Sequence, residues 1–152
     1  MFSAITKSST SRLLLRTSCL NFVQRRGYAT VKYTKDHEYV RFESGKSVVV
    51  GISDEAQKKL GEIVHVELSV KPGDVIKASS VIGEVESVKS VSEVYSPVSG
   101  KVVEVNSVVS DNPGIVNESA EQDGWMIKME FEKEAEGLMN KTDYQKYCEE
   151  QE

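Results

Sequence analysis

The stretch GEVESVKSVSEVYSP, residues 83–97, places a single lysine between two short runs that contain β-branched residues. Lys89 is the only basic residue in this stretch. The alternation of apolar and polar residues predicts strands at 81–88 and 92–95, joined by a bend that carries the lysine. Tight turns usually contain Gly, Asn or Asp, which this bend lacks. We infer that the hairpin presents the side chain of Lys89.

The simplest interpretation of Lys89 is an ordinary solvated turn residue. Two acidic neighbours, Glu86 and Glu93, would favour the charged form of its amine, and this disfavours Schiff-base catalysis. An exposed lysine can also serve as the attachment point of a carried group such as biotin or lipoamide. The hairpin alone does not distinguish between biotin and lipoamide as the carried group.

Beyond this hairpin, the sequence predicts further short strands separated by turn residues. The expected strands are 39–43, 47–52, 63–68, 101–105 and 124–131. Turns are expected at 44–46, 71–74, 97–100 and 111–114, where Gly or Pro occurs. Several short strands with regularly spaced turns indicate a mainly β fold, a small sandwich or barrel.

One compact helix is predicted inside this β pattern. Ser53 is a good N-cap, two acids follow it, and Lys58 and Lys59 occupy the last turn. Gly61 is expected to end the helix in the left-handed conformation. The acidic segment 132–152 predicts C-terminal helices. Its candidate docking contacts are Leu138, Met139, Tyr144 and Tyr147.

Residues 1–28 differ sharply from the rest of the chain in charge. The first thirty residues hold five basic residues and no acid, whereas the remainder holds 14 of the 19 basic and all 24 acidic residues. The basic residues are interspersed with Leu, Ser and Thr, which is typical of a mitochondrial transit peptide. Arg26-Gly27-Tyr28 resembles a matrix-protease site, with cleavage after Tyr28. The alternative is a disordered tail or a nucleic-acid-binding arm.

The acidic remainder, residues 29–152, limits the partners of the chain. Its excess of carboxylates disfavours binding to nucleic acid or to anionic lipid. No run of about 18 apolar residues occurs, so the sequence predicts no membrane-spanning helix. We expect residues 29–152 to form one monomeric domain in the mitochondrial matrix, with an acidic helical tail.

Seven separated stretches resemble the H-protein family of the glycine cleavage system. They are KDHEYV (35–40), VGISDEAQ (50–57), LGEIVHVEL (60–68), GEVESVKS (83–90), YSPVSG (95–100), NPGIVN (112–117) and DGWM (123–126). The resemblance implies the barrel-sandwich hybrid fold of lipoyl and biotinyl domains, with lipoate in amide linkage on Lys89. Biotin carriers typically show Met-Lys-Met at this turn, and the lipoyl domains of 2-oxoacid dehydrogenases show Asp-Lys-Ala. Val88-Lys89-Ser90 matches neither.

The resemblance also implies a role and a set of partners. The lipoyl arm would accept an aminomethyl group from a pyridoxal-phosphate glycine decarboxylase, the P-protein, and present it to an aminomethyltransferase, the T-protein. Dihydrolipoamide dehydrogenase, the L-protein, would reoxidise the arm, and lipoylation enzymes would install it. The chain would then be a cofactor carrier and not an enzyme. The alternatives are an unmodified adaptor and a donor that relays lipoyl groups to other mitochondrial proteins.

The resemblance further implies that the loaded arm folds back against the protein surface, and three acids are candidates to meet its cationic amine. Glu38 ranks first because it matches the glutamate of the family's His-Glu motif, Glu93 ranks second and Asp36 third. The alternative for Glu38 is a solvated strand acid. The chain departs from the usual family pattern at Tyr39, where Trp is common, at Ser69, where Pro is common, and at Ser90, where Ala is common.

A metal-dependent hydrolase is the remaining alternative. His37, Glu38, His65 and Glu67 are candidate ligands, and the last two would share one face of a strand. Two histidines without a spaced motif are a weak signal, and a metal site needs a third fixed ligand. We therefore expect the chain to hold no metal.

Overall fold

The computed structural model describes residues 29–134 and 136–152 as two β-sheets and four short helices. The strands are β1 Thr30–Tyr33, β2 Glu38–Phe42, β3 Ser47–Ile52, β4 Ile63–Leu68, β5 Val75–Ile76, β6 Val81–Ser87, β7 Val91–Tyr95, β8 Val98–Val105 and β9 Ile127–Glu134. The helices are α1 Asp54–Leu60, α2 Ser107–Asp111, α3 Gly114–Ser119 and α4 Lys141–Glu150. The transit peptide expected at residues 1–28 lies outside the described residues.

The strands form one large and one small sheet. The larger has the order β1-β2-β3-β9-β8-β5, and the smaller has the order β4-β6-β7. All pairings between these strands are antiparallel. Strands β6 and β7 pair consecutively, so the predicted hairpin around Lys89 is confirmed. The mainly β architecture expected from the sequence is confirmed as well.

The hydrophobic core lies between the two sheets. Val50 and Met129 contribute fully buried side chains from the larger sheet, and Val66 and Val85 contribute them from the smaller. Burying one such aliphatic side chain contributes about 1.5–3 kcal/mol. The core therefore fixes which face of β6 points outward as that strand approaches Lys89.

Helix α1 forms where its capping residues predict it. Ser53 Oγ accepts the N–H of Ala56 at 3.1 Å, and the N–H of Gly61 donates to the carbonyl of Gln57 at 3.0 Å. Gly61 has a positive φ of 79°, but its ψ of −147° lies outside the left-handed well that the sequence predicted. This backbone conformation is open essentially to glycine alone. It leads the chain from α1 into β4.

One of the predicted turns is wrong. Segment 97–100 instead leads into β8, and Gly100 is needed inside that strand because a Cβ there would lie 2.2 Å from the carbonyl oxygen of Glu130. The turn predicted at 111–114 is present, with the N–H of Ile115 donating to the carbonyl of Asn112 at 3.2 Å, and it links α2 to α3, two short helices that the sequence analysis did not predict. Asn106 begins α2 by accepting the N–H of Val108 at 3.2 Å.

The C-terminal segment contains one helix in its described part, where the sequence predicted helices in the plural. Strand β9 extends to Glu134 and α4 occupies Lys141–Glu150. The predicted docking is confirmed for Tyr144, whose ring stacks on Tyr33 at 4.3 Å, and for Met139, which exchanges backbone hydrogen bonds with Tyr33. None of the helices in 29–134 or 136–152 is long and apolar enough to cross a bilayer.

Candidate functional site

The turn that carries Lys89 is organised by a buried serine. The N–H of Ser87 donates to the carbonyl of Ser90 at 2.8 Å. Ser87 Oγ accepts the N–H of Ser90 at 3.1 Å and that of Lys89 at 3.2 Å. Serine side chains satisfy turn backbones in this way, so the bend holds its shape without Gly or Asn. The sequence analysis included Ser87 in the motif but missed this role.

The hairpin is also tied to the end of α1. The N–H of Val88 donates to the carbonyl of Glu62 at 3.0 Å. The side chain of Lys89 passes over Gly61, where an added Cβ would lie 3.5 Å from Cε and 3.6 Å from Nζ. Lys89 itself is exposed. The structure therefore places a solvent-accessible amine at the tip of a hydrogen-bonded hairpin, next to the last turn of α1.

A cleft of about 120 Å³ lies between α1 and the β6–β7 hairpin. The structure brings the three predicted acids, Asp36, Glu38 and Glu93, together in its lining. The apolar side chains of the cleft are Ile52, Ala56, Leu60, Val85 and Val94, and its other polar residues are His37, Lys59 and Ser92. The cleft therefore combines an apolar surface with an excess of carboxylates.

Glu38 is a buried acid, so the alternative of a solvated strand acid is wrong. Glu38 as a whole is only 2% exposed to solvent. Oε1 accepts the backbone N–H of Tyr95 at 3.1 Å, and Oε2 accepts the hydroxyl of Thr34. Burial raises the pKa of the Glu38 carboxyl, while the hydrogen bonds from Thr34 and Tyr95 oppose the shift. Glu38 also lines a second, larger cleft of about 290 Å³ and so forms a wall between the two.

Glu93 and Asp36 are both exposed at the cleft. Glu93 Oε2 accepts the hydroxyl of Tyr95 at 2.6 Å, and this hydrogen bond raises the pKa of Tyr95. Tyr95 therefore contacts both Glu38 and Glu93, one through its backbone and one through its side chain. The sequence analysis did not assign Tyr95 a role. Its position two residues after Glu93 in a strand, and hence on the same face, was the available signal.

His37 lies in the cleft lining in an uncommon backbone conformation. Its φ is 69°, and its imidazole Nδ1 lies 2.7 Å from the hydroxyl of Tyr144 in α4. Its Nε2 lies 3.4 Å from the Lys59 ammonium. Burial lowers the pKa of His37, and the positive charge of Lys59 lowers it further.

The residues suggested for a metal site do not come together. His65 and Glu67 share a face of β4, as predicted, but both are exposed there and lie opposite Glu86 and Glu84 of β6. His37 is in the cleft beside α1. Among the described residues, no group of three or more His, Cys, Asp or Glu side chains is arranged to hold a metal ion.

A family model described as glycine cleavage H-protein matches residues 31–151. The chain belongs to the glycine cleavage H-protein family. It is 47% identical over 123 residues to the mitochondrial glycine cleavage system H protein of Flaveria pringlei, an alignment that covers 80% of this chain and 75% of the relative. It is 46% identical over 124 residues to the glycine cleavage system H protein of Anaeromyxobacter sp. (strain K), covering 80% and 95%.

The fold agrees with a solved structure of the same family. The crystal structure of a glycine cleavage system H protein from Mycobacterium marinum superposes with a TM-score of 0.71 at 30% identity. The superposition covers 81% of this chain and 97% of the other. The family resemblance and the barrel-sandwich fold expected from the sequence are thereby confirmed.

Proposed function

We propose that Lys89 carries a lipoyl group in amide linkage, and that the chain shuttles an aminomethyl group during glycine cleavage. The observation that carries this proposal is the placement of Lys89. In a member of the H-protein family, an exposed amine stands at the tip of a hairpin fixed by Ser87. Beside it lies a cleft with three carboxylates. An attachment lysine must reach both a modifying enzyme and later partners, and this geometry allows both.

The chemistry belongs to the carried group, and the chain supplies attachment, reach and protection. When bound, a lipoyl group supplies the sulfur that takes up the aminomethyl group as glycine loses carbon dioxide. Glu93 lies four residues from Lys89, about 13 Å at the rise of a strand. A lysine side chain lengthened by a lipoyl chain spans this distance. The cleft is thus within reach of Lys89.

The cleft residues have separate roles in this proposal. The apolar side chains Leu60, Val85 and Val94 shield the arm from water. Glu38, Glu93 and Asp36 accept hydrogen bonds from the cationic amine of the cargo, as charge-assisted pairs. Each oxygen of Glu38 already accepts one hydrogen bond but keeps a second lone pair. Holding the amine here slows its hydrolytic loss between enzymes.

The partners we propose are the other components of glycine cleavage. They are the pyridoxal-phosphate decarboxylase, the aminomethyltransferase and dihydrolipoamide dehydrogenase, together with the enzymes that install lipoate. Tethering keeps the cargo at a high effective concentration for whichever enzyme is docked. In this proposal the chain is a carrier, and the bond-making steps take place in its partners' active sites.

We further propose that residues 1–28 direct the chain to the mitochondrial matrix. The acid-free, Arg-rich composition of this segment supports the proposal. The Flaveria relatives are named as mitochondrial, whereas the Anaeromyxobacter relatives carry no such designation. N-terminal sequencing of the protein from isolated mitochondria tests this claim independently of the carrier function.

A further inference from the structure

Helix α4 packs against the larger sheet through a cluster of tyrosines. Tyr33, Tyr39, Tyr144 and Cys148 form a buried group that is separate from the main core. The rings of Tyr33 and Tyr144 stack with an interplanar angle of 4°. Tyr144 is 3% exposed, so its hydroxyl must find partners inside the protein.

The hydroxyl of Tyr144 has two partners, and both belong to the cleft side of the molecule. It lies 2.7 Å from Ser53 Oγ and 2.7 Å from His37 Nδ1. Ser53 is the N-cap of α1, which supplies Ala56, Lys59 and Leu60 to the cleft. A tyrosine hydroxyl has one proton to donate and can also accept a hydrogen bond. Tyr144 can therefore serve both partners at once.

The direction of these hydrogen bonds follows from the Lys59 ammonium, which can only donate. At 3.4 Å it donates to Nε2 of His37, which makes Nε2 the acceptor and places the imidazole proton on Nδ1. The Nδ1–H then donates to Tyr144, whose own proton can go to Ser53 Oγ. The chain of bonds runs from Lys59 through His37 and Tyr144 to Ser53, and it requires a neutral imidazole.

The surroundings of His37 hold this arrangement. Its backbone has a positive φ, which is uncommon for any residue other than glycine. Its carbonyl accepts the N–H of Ser53 at 2.8 Å. Such strain persists only where neighbouring contacts over-determine the conformation. The charged or titratable groups around His37 are Lys59 and Glu55 from α1, Tyr144 and Tyr147 from α4, and Asp36 from its own segment.

Lys59 is the cation that would compete with the cargo. It lines the same cleft as Asp36, Glu38 and Glu93. Nevertheless it forms no ion pair with any carboxylate among the described residues, and its hydrogen-bond partner is His37. A lysine ammonium that moved toward these acids would occupy the place that the proposed function gives to the cargo amine.

We propose that Tyr144 of the C-terminal helix is a positioning residue for this cleft. By accepting from Nδ1–H of His37 it keeps Nε2 available to Lys59, and thereby holds Lys59 away from the carboxylates that receive the cargo. The expected consequence of this inference, retention of the cargo, rests on the proposed function. The contact between Tyr144 and His37 can be tested without it.

The test compares Tyr144→Phe with Tyr147→Phe. The first variant keeps the stacked ring and removes only the hydroxyl. Tyr147 lies on the same helix with its ring 6.1 Å from that of His37, but its hydroxyl donates to the Lys35 carbonyl at 3.3 Å. The tautomer of His37 is read from its imidazole ¹⁵N shifts in the unmodified protein. Cargo loss is read as ammonia released from the loaded protein.

In Tyr144→Phe we expect the Nδ1–H tautomer of His37 to lose population and cargo loss to accelerate by about two- to tenfold, the range for one hydrogen bond. Tyr147→Phe should change neither. Adding Lys59→Met to Tyr144→Phe should return cargo loss toward the wild-type rate, because the competing cation is gone. An unchanged tautomer overturns the positioning role whether or not cargo can be loaded. A changed tautomer with unchanged cargo loss overturns the link to the cleft.

Discussion

The hydroxyl of Tyr95 donates a 2.6 Å hydrogen bond to Oε2 of Glu93. The backbone N–H of the same tyrosine donates to Oε1 of Glu38 at 3.1 Å. One residue thus orients two of the three carboxylates that line the cleft beside α1. The exposed Glu93 is held by a side chain, and the buried Glu38 is held by the backbone. These two contacts can be separated by substitution.

Tyr95→Phe should release Glu93 and leave the hydrogen bond to Glu38 in place. The folded structure should be unchanged, since the lost hydroxyl bond lies at the surface. Cargo loss from the loaded protein should rise by about two- to tenfold, as expected for loss of one hydrogen bond. Ammonia release measures the rate. In a Glu93→Gln background the same substitution should have little further effect, and equal effects in both backgrounds would contradict the account.

Glu38→Gln should be lipoylated normally but lose cargo faster. A carboxylate that meets a partly buried ammonium contributes about 1–3 kcal/mol, or roughly five- to 150-fold in the release of the arm. Ammonia release from the loaded variant measures this loss. Glu67→Gln, on the exposed face of β4, is the matched control and should behave as wild type. A loaded Glu38→Gln protein that decays no faster than wild type would leave Glu38 with a structural role only.

The same variant tests the effect of burial on the Glu38 carboxyl. Its pKa is raised in the folded protein, so the folded state binds the proton more tightly than the unfolded chain. Its contribution to stability is therefore present below the ordinary pKa of about 4.3 and is lost as the pH rises through the folded value. Urea unfolding should show that the advantage of wild type over Glu38→Gln is larger at about pH 4 than at about pH 7. An advantage that grows with pH would reverse this conclusion.

Substitutions of Tyr39 and Tyr33 by Phe form a matched pair that tests how each hydroxyl affects the free energy of unfolding. Tyr39 is fully buried, and its hydroxyl is the buried side-chain polar atom without a hydrogen-bond partner among the described residues. Tyr33 donates its hydroxyl to Glu121 at 2.9 Å. Tyr39→Phe should therefore raise the free energy of unfolding by about 1 kcal/mol, whereas Tyr33→Phe should lower it by about 0.5–1.5 kcal/mol. Destabilisation by Tyr39→Phe in urea unfolding would show that its hydroxyl is satisfied in solution.

Local sequence signals predicted much of this fold. Helix α1 was predicted because Ser53 and Gly61 are strong capping residues at the right spacing. Strands 47–52 and 63–68 were predicted with the bounds that the structure has, since each carries a clear apolar pattern. The turn at Lys89 was predicted from the two strands that flank it. Each of these features is set by residues close together in the chain.

The missed features depend on contacts between distant residues. The bond between His37 and Tyr144 joins positions 107 residues apart, and the bond between Glu38 and Tyr95 joins positions 57 apart. In the sequence Gly100 suggested a turn. In the structure it lies in a strand, where the absence of a Cβ lets the backbone of β9 pack closely against it. Helices α2 and α3 are too short for a helical period to show in the sequence. Glu38 could be ranked first from the family motif, but the cleft that brings the three acids together could not be predicted from the sequence.

The leader gives a prediction that is independent of the site. Protein isolated from mitochondria should begin within a few residues of Ala29, because the segment before it has the composition of a transit peptide. N-terminal sequencing measures this directly. A substitution of Arg25 and Arg26 by acidic residues should reduce import. A mature protein that begins at Met1 would contradict the targeting proposal.

Lys89→Arg keeps the charge and the approximate length of the side chain but removes the amine that forms an amide. The variant should fold as wild type, because Lys89 is exposed and Ser87 holds the turn through backbone atoms. It should not support glycine cleavage by the reconstituted system. Lys77→Arg, in another exposed loop, is the matched control and should retain wild-type activity.

The most direct measurement is the intact mass of the protein purified from its native compartment, followed by mapping of the modified peptide. The account predicts an added mass of one lipoyl group, located on Lys89 and absent from Lys89→Arg. Protein in which Lys89 is unmodified, or in which the added group lies on another residue, would contradict it.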